Sequence, residues 1–147
     1  MDVAVAYNSV YAVAADGTFV EWGQRSTRRP ANAGHVAATT CQACVTTRTG
    51  AADCRDEKGR AAHFAGPVTA FAPGCPGGCG LRSDGTIACT PETQAARPPA
   101  LASERFSEIT SIRDRFCATT VQGRVACWGA PWPGDWLGKR LITGAQP

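Results

Sequence analysis

One spacing recurs along the chain and limits its fold more than any other feature. In "CATTVQGRVACWG" (117–129), taking Cys117 as position zero, Gly123 falls at plus six, Cys127 at plus ten, Trp128 at plus eleven and Gly129 at plus twelve. The same ruler fits "CGLRSDGTIAC" with Cys79, Gly85 and Cys89, and "CVTTRTGAADC" with Cys44, Gly50 and Cys54. It also fits "YAVAADGTFVEWG", where Tyr11 and Glu21 stand in place of the cysteines around Gly17 and before Trp22 and Gly23. The copies start at 11, 44, 79 and 117, in steps of 33, 35 and 38 residues. Periods of this length mark an array of small, like units.

Each copy reads as a β-hairpin. Asp16-Gly17 and Asp84-Gly85 lie between short alternating runs, and Asp-Gly is a strong hairpin signal because Gly, and tolerably Asp, takes positive φ. Thr49-Gly50 and Gln122-Gly123 keep the glycine. Positions zero and ten then fall on opposite arms, about equally far from the turn. Directly opposed residues in an antiparallel pair approach within disulfide reach, so Cys44–Cys54, Cys79–Cys89 and Cys117–Cys127 are expected as staples across their hairpins.

A further apolar run precedes each hairpin: "VAVAY" (3–7), "HVAATT" (35–40), "VTAFA" (68–72) and "ITSI" (109–112). Connectors rich in Pro, Ala and Arg separate the copies, as in "RRPANAG" and "ARPPALAS". The expected fold is all-β: one repeat domain over 1–147 with units of roughly 1–32, 33–65, 66–104 and 105–147, each of about three antiparallel strands. Such a sheet cannot bury both faces alone, and stacking units face to face around an axis is the propeller solution.

The stretches "VAVAYNSVYAVAADGTFVEWG" (3–23) and "FCATTVQGRVACWG" (116–129) resemble the repeat of the regulator of chromosome condensation family, and that of the propeller-type β-lactamase inhibitors. "GDWLG" (134–138) is similar to the family's Gly-x-Leu-Gly with one residue added. The resemblance implies a β-propeller used as a binding platform. Such relatives typically have about seven blades, against the four units here. "KRLITGAQP" at 139–147 looks like the connector and outer strand that lead into a unit, so joining Pro147 to Met1 would complete the repeat. Two arrangements follow, a small four-unit ring or an open arc completed by another chain, and the arc is favoured because an unpaired sheet edge calls for a partner.

Eight cysteines remain to be accounted for. Beyond the three staples, Cys41 and Cys75 precede position zero in adjacent units, and a bridge between neighbouring units is expected. Bridges of this kind imply an oxidising compartment: secreted, periplasmic or an organelle lumen. Zinc is the rival reading, since "CQAC" (41–44) and "CPGGC" (75–79) have ligand-like spacing. Against it, Cys44 and Cys79 already have matched partners at plus ten, and the last copy keeps the pair with no third cysteine. A redox role for Cys41 and Cys44 lacks a surrounding βαβ pattern. Twin Cys-x9-Cys helical proteins are disfavoured by the central glycine and the β-type alternation.

Chemistry-bearing motifs are sparse. His35 and His63 stand beside strand starts and read as connector residues. "DCRDE" (53–57) lacks a glycine-punctuated cation loop, and no phosphate loop, nucleophile elbow or metalloprotease helix is present. No cofactor and no enzymatic activity are expected. The net charge of +3 comes from scattered Arg without a concentrated basic face, so nucleic acid is not an expected partner. No apolar run nears the roughly 18 residues of a membrane span, and "MDVAVAYNSVYAV" reads as strand rather than as a signal segment.

Aromatics carry the binding expectation. Trp128 aligns with Trp22 and reads as repeat core, whereas Trp132 and Trp136 have no counterparts in the other copies. Repeat register puts "RDRF" (113–116), with Arg113 and Arg115, on one rim with Tyr7, "NSVY" (8–11) and the two cysteine inserts. A protein partner or homo-oligomer is expected there. A lectin that binds glycan through Trp132 or Trp136 is the alternative.

Overall fold

The repeat glycines sit at the tips of four hairpins, and their backbone angles explain the spacing. In a computed structural model of the chain, which describes residues 1–6, 8–23, 32–56, 61–64, 66–94 and 97–130, Gly17, Gly50, Gly85 and Gly123 have φ of +86°, +89°, +80° and +81°. Each glycine N–H donates to the carbonyl three residues back, on Ala14, Thr47, Arg82 and Thr120. The N–H of that same residue donates to the carbonyl just past the glycine, on Thr18, Ala51, Thr86 and Arg124. The loop therefore has three residues, closed by a glycine in the left-handed region. The residue before the glycine needs no positive φ; among described non-glycine residues only Asn32 and Arg113 have one. This is why Asp, Thr and Gln are all accepted there. Where Asp is present it caps the loop: Asp16 Oδ1 accepts from Thr18 N at 2.8 Å and Asp84 Oδ1 from Thr86 N at 2.9 Å.

The strands assemble into four small antiparallel sheets in chain order. The first blade comprises β1 (Asp2–Ala6), β2 (Ser9–Val13) and β3 (Phe19–Gly23). The second comprises β4 (Ala33–Ala38), β5 (Gln42–Thr47), β6 (Ala52–Asp56) and β7 (Ala61–Phe64). The third has β8 (Ala70–Pro73), β9 (Gly78–Leu81) and β10 (Ile87–Cys89). The fourth has β11 (Phe106–Ile112), β12 (Arg115–Thr120) and β13 (Val125–Gly129). The fourth strand of the second blade departs from the three expected. Residues 61–64, which look like connector, pair with β6 from Ala52↔Phe64 to Arg55↔Ala61.

Packing between blades repeats as the strands do. The first strand of each later blade lies against the first two strands of the blade before it. A backbone hydrogen bond anchors each junction: Ala33 N, Val68 N and Phe106 N donate to Gly17 O, Gly50 O and Gly85 O at 3.2, 2.9 and 2.8 Å. Apolar side chains fill the junctions. Tyr11, Val13 and Phe19 meet Val36, Ala43 and Val45 between the first two blades. Cys44 and Cys54 meet Val68 and Phe71 between the second and third. Cys79, Leu81 and Ile87 meet Phe106, Phe116 and Trp128 between the third and fourth. The core of this small protein is thus three thin layers, one per junction.

Candidate functional site

Four disulfides are present, and each takes its place from strand register. Cys44↔Cys54, Cys79↔Cys89 and Cys117↔Cys127 are directly opposed in the ladders, with Cα separations of 4.0, 4.0 and 4.1 Å. Such short separations belong to the non-hydrogen-bonded sites of an antiparallel pair, where side chains stand closest. Cys41–Cys75 joins the β4–β5 loop to the β8–β9 loop, with a Cα separation of 5.8 Å, and so links neighbouring blades. The four sulfurs that a zinc reading would use, on Cys41, Cys44, Cys75 and Cys79, lie in three different disulfides. Four disulfides suit an oxidising environment.

Polar contacts stiffen the rim around Cys41–Cys75. Gln42 Nε2 donates to Gly74 O at 2.8 Å and also to Gly77 O. Gly74 N donates to Gly77 O at 2.7 Å, closing a turn around the cis Cys75–Pro76 bond. Ser111 Oγ donates to Pro73 O at 2.6 Å, tying the fourth blade to the same end of the third. Arg113 sits at the exposed tip of the β11–β12 turn with a φ of +56°. Arg115 is half-buried, and its Nε donates to Ala130 O at 3.2 Å, so part of this guanidinium serves its own blade. Tyr7, Trp132 and Trp136 lie outside the described residues, as do "GDWLG" and the 139–147 segment.

Both histidines are on strands, not connectors, and each contacts an aspartate. His63 Nδ1 is 2.5 Å from Asp53 Oδ1 across the β6–β7 ladder, with both side chains well exposed. His35 contacts Asp2, whose Oδ2 also accepts from Val36 N at 2.8 Å. That second group fastens β1 to β4 and is architectural. Among the described residues no three or more His, Cys, Asp or Glu side chains converge to hold a metal ion.

The feature that sequence reading missed is a face of the first blade. Register places Val5, Val10 and Trp22 in one cross-strand row and Val3, Ala12 and Val20 in the next. Both rows point away from the second blade, and all six side chains are apolar. Many of their repeat counterparts are buried, although Asp53, at the position of Val20, is exposed. Val3 aligns with Val36 and Phe71, which are 2% and 3% exposed, yet Val3 is 54% exposed. Trp22 aligns with Trp128, which is 7% exposed, yet Trp22 is 57% exposed. In later blades these positions pack on the preceding blade; on the first, nothing among the described residues covers them. The described residues thus form an open arc. The ruler that pairs Trp22 with Trp128 also pairs Val3 with Val36, so the sequence marks these as junction positions without marking which blade leaves them uncovered.

No family model matches the chain, and no curated protein sequence does either. Solved structures do. The chain is similar to Prp20p from Saccharomyces cerevisiae at 12% identity and a TM-score of 0.66, covering 86% of this chain and 44% of that one. It is similar to the CRINKLY WD40 ectodomain of the Arabidopsis thaliana receptor kinase ACR4 at 17% identity and a TM-score of 0.63, covering 87% and 54%. It is similar to human WBSCR16 at 15% identity and a TM-score of 0.60, covering 88% and 47%. The chain spans about half the length of these structures. At such identities the likeness concerns architecture, and that architecture is β-propeller-like.

Proposed function

We propose that the chain is a non-enzymatic protein-protein interaction module, an accessory subunit or inhibitor-like binder on a β-propeller-like scaffold in a secreted, periplasmic or lumenal setting. The exposed apolar face of the first blade carries this reading. Contiguous apolar surface of this kind on a soluble domain marks a contact site, because leaving it in water forfeits about 25 cal/mol for each Å². Its residues sit on a rigid sheet, so little conformational entropy is lost when a partner covers them. Prp20p, which shares the architecture, is a protein studied for its binding to Gsp1p and histones, and a scaffold role here is in keeping with that.

The test is site-specific photo-cross-linking of the full chain in its native setting. A benzophenone side chain in place of Trp22 is expected to capture polypeptide, while the same group in place of the exposed Arg82, on the third hairpin turn, is not. Equal capture at the two positions, or none at 22, defeats the reading.

A further inference from the structure

We infer that the first blade's apolar face docks on the outward face of the fourth blade in a second copy of the chain, so that two copies close head to tail into one ring. The inference rests on the preceding reading of that face as a protein contact, and it names the partner.

The chain contains the proposed contact three times already. In each blade, positions zero, plus two, plus eight and plus ten face the next blade. The strand before the hairpin, with positions minus one, plus one, plus nine and plus eleven, faces the previous blade. The third-to-fourth junction shows the pairing clearly: Cys79 with Leu81 and Ile87 on one side, Phe116, Ala118, Ala126 and Trp128 on the other. Two faces lack a mate within the described residues. One is the first blade's Val3, Val5, Val10 and Trp22. The other is the fourth blade's Cys117–Cys127 pair with Thr119 and Val125, which the ladders place on the side turned away from the third blade. These two faces are the two halves of the junction the chain builds elsewhere.

The repeat positions agree with this pairing. At the third-to-fourth junction a disulfide faces a Phe and a Trp. In the proposed junction a disulfide at the same repeat positions faces Val10 and Trp22, which occupy the positions of Phe116 and Trp128. No charged side chain lies in either cross-strand row of the first blade, and on the fourth-blade face the one carboxylate, Glu108 opposite Thr119, stands on the first strand at the repeat position of Asp2, whose Oδ2 accepts from Val36 N of the next blade. Gly123 also fits. A Cβ added to Gly17, Gly50 or Gly85 would stand 3.3, 2.6 or 3.2 Å from the entry to the next blade, whereas one on Gly123 meets nothing within 4 Å among the described residues. The number of blades closes as well. Two four-bladed arcs give eight blades, within the roughly four to eight of known propellers. A head-to-tail contact that closes after two copies has two-fold symmetry and leaves no free face.

Sedimentation equilibrium of the full, oxidised chain tests this. The wild type is expected at twice the chain mass. Val5→Asp on the first blade and Thr119→Arg on the fourth, each with near-UV dichroism unchanged and no free thiol, are each expected to raise the dimer dissociation constant at least about tenfold. Val125→Asp gives a second probe of the fourth blade if Thr119→Arg perturbs folding. Mixing the two single variants restores one good junction and is expected to recover dimer. A dimer sensitive to Val5→Asp but indifferent to both fourth-blade variants is a first-blade-to-first-blade contact and overturns the inference. A monomeric wild type whose position 22 cross-links only to a different protein also overturns it, while leaving the interaction reading intact. A monomer with no cross-link at 22 overturns both.

Discussion

Replacing Gly50 by Ala and Gly123 by Ala separates two costs that every hairpin turn combines. Both glycines have φ in the left-handed region, at +89° and +81°, and an Ala there loses about 1–2 kcal/mol to its own Cβ. Their surroundings differ. A Cβ on Gly50 comes within 2.6 Å of Pro67 Cα and 2.9 Å of Val68 N, both backbone atoms at the entry to the third blade. These atoms cannot rotate away, and moving them strains the Val68 N to Gly50 O hydrogen bond of 2.9 Å. Overpacking of this kind adds about 1–3 kcal/mol. A Cβ on Gly123 meets no described atom within 4 Å. Gly123→Ala should therefore destabilise by about 1–2 kcal/mol and Gly50→Ala by about 2–5 kcal/mol. Gly17→Ala and Gly85→Ala, whose nearest contacts are 3.3 and 3.2 Å, should fall between. Urea unfolding of the oxidised proteins in a monomeric Val5→Asp background, where no second copy stands against Gly123, reads this directly. With a slope of about 1–3 kcal/mol per molar, a difference near 2 kcal/mol parts the midpoints by roughly 1 M. Equal losses for Gly50→Ala and Gly123→Ala would refute the claim that the turn glycines carry the junctions.

Other expectations concern sulfur and charge. In the same monomeric background, removing Cys44–Cys54 by double Ala substitution should cost more than removing Cys117–Cys127. Each staple closes a loop of about eleven residues, worth roughly 2–3 kcal/mol, but only the first is buried against Val68 and Phe71; denaturation midpoints of the two variants compare them. Alkylation with mass readout should find no reactive thiol in the native protein and eight after reduction in denaturant, with a chelator changing neither the count nor the fold. Hydrogen bonds from the Thr86 hydroxyl and backbone N–H hold the Asp84 carboxyl below the ordinary aspartate value of 3.8, and those from the Thr18 backbone hold Asp16 below it too. Their stabilisation is present above 3.8 and is lost as the pH falls through the lower, folded-state values, so Asp16→Asn with Asp84→Asn should flatten the acid limb of a melting-temperature profile.

Sequence carried the hairpins because the information was local. The glycine at plus six and the cysteines at zero and ten fix turn, register and staple within eleven residues. Which loop residue needs positive φ was less legible: Asp-Gly suggests that both could take it, and the backbone angles show that the glycine alone does. Strand β7 was hidden because "AAHF" has weak β-propensity, and its place comes from pairing with β6. Alignment of Trp22 with Trp128 carries no indication of which blade lacks a neighbour. Exposure is a property of the assembled arc, and it separates two residues that the repeat treats as equals.

The three junctions divide one volume in three ways, and this explains how so Ala- and Gly-rich a chain packs. Between the first two blades the bulk comes from the earlier blade: Tyr11 and Phe19 stack with centroids 6.1 Å apart, and Ala43 and Val45 answer with small surfaces. Tyr11 occupies a cysteine position, so an aromatic ring does there what a disulfide does elsewhere. At the second junction the contributions reverse. Cys44–Cys54 is compact, and Val68 and Phe71 of the third blade supply the bulk. The third blade's middle strand then has to be thin: a Cβ on Gly78 would meet Phe71 Cε1 at 2.6 Å, and one on Gly80 would meet Val68 Cγ1 at 2.5 Å. These glycines are demanded by packing rather than by backbone angle, since neither has positive φ. At the third junction Phe116 and Trp128, centroids 5.9 Å apart, fill the space beside Cys79–Cys89. A blade in this chain is therefore specified by its neighbour as much as by its own strands, which is why the first blade's face, with bulk on it and no neighbour among the described residues, is where the proposed partner is placed.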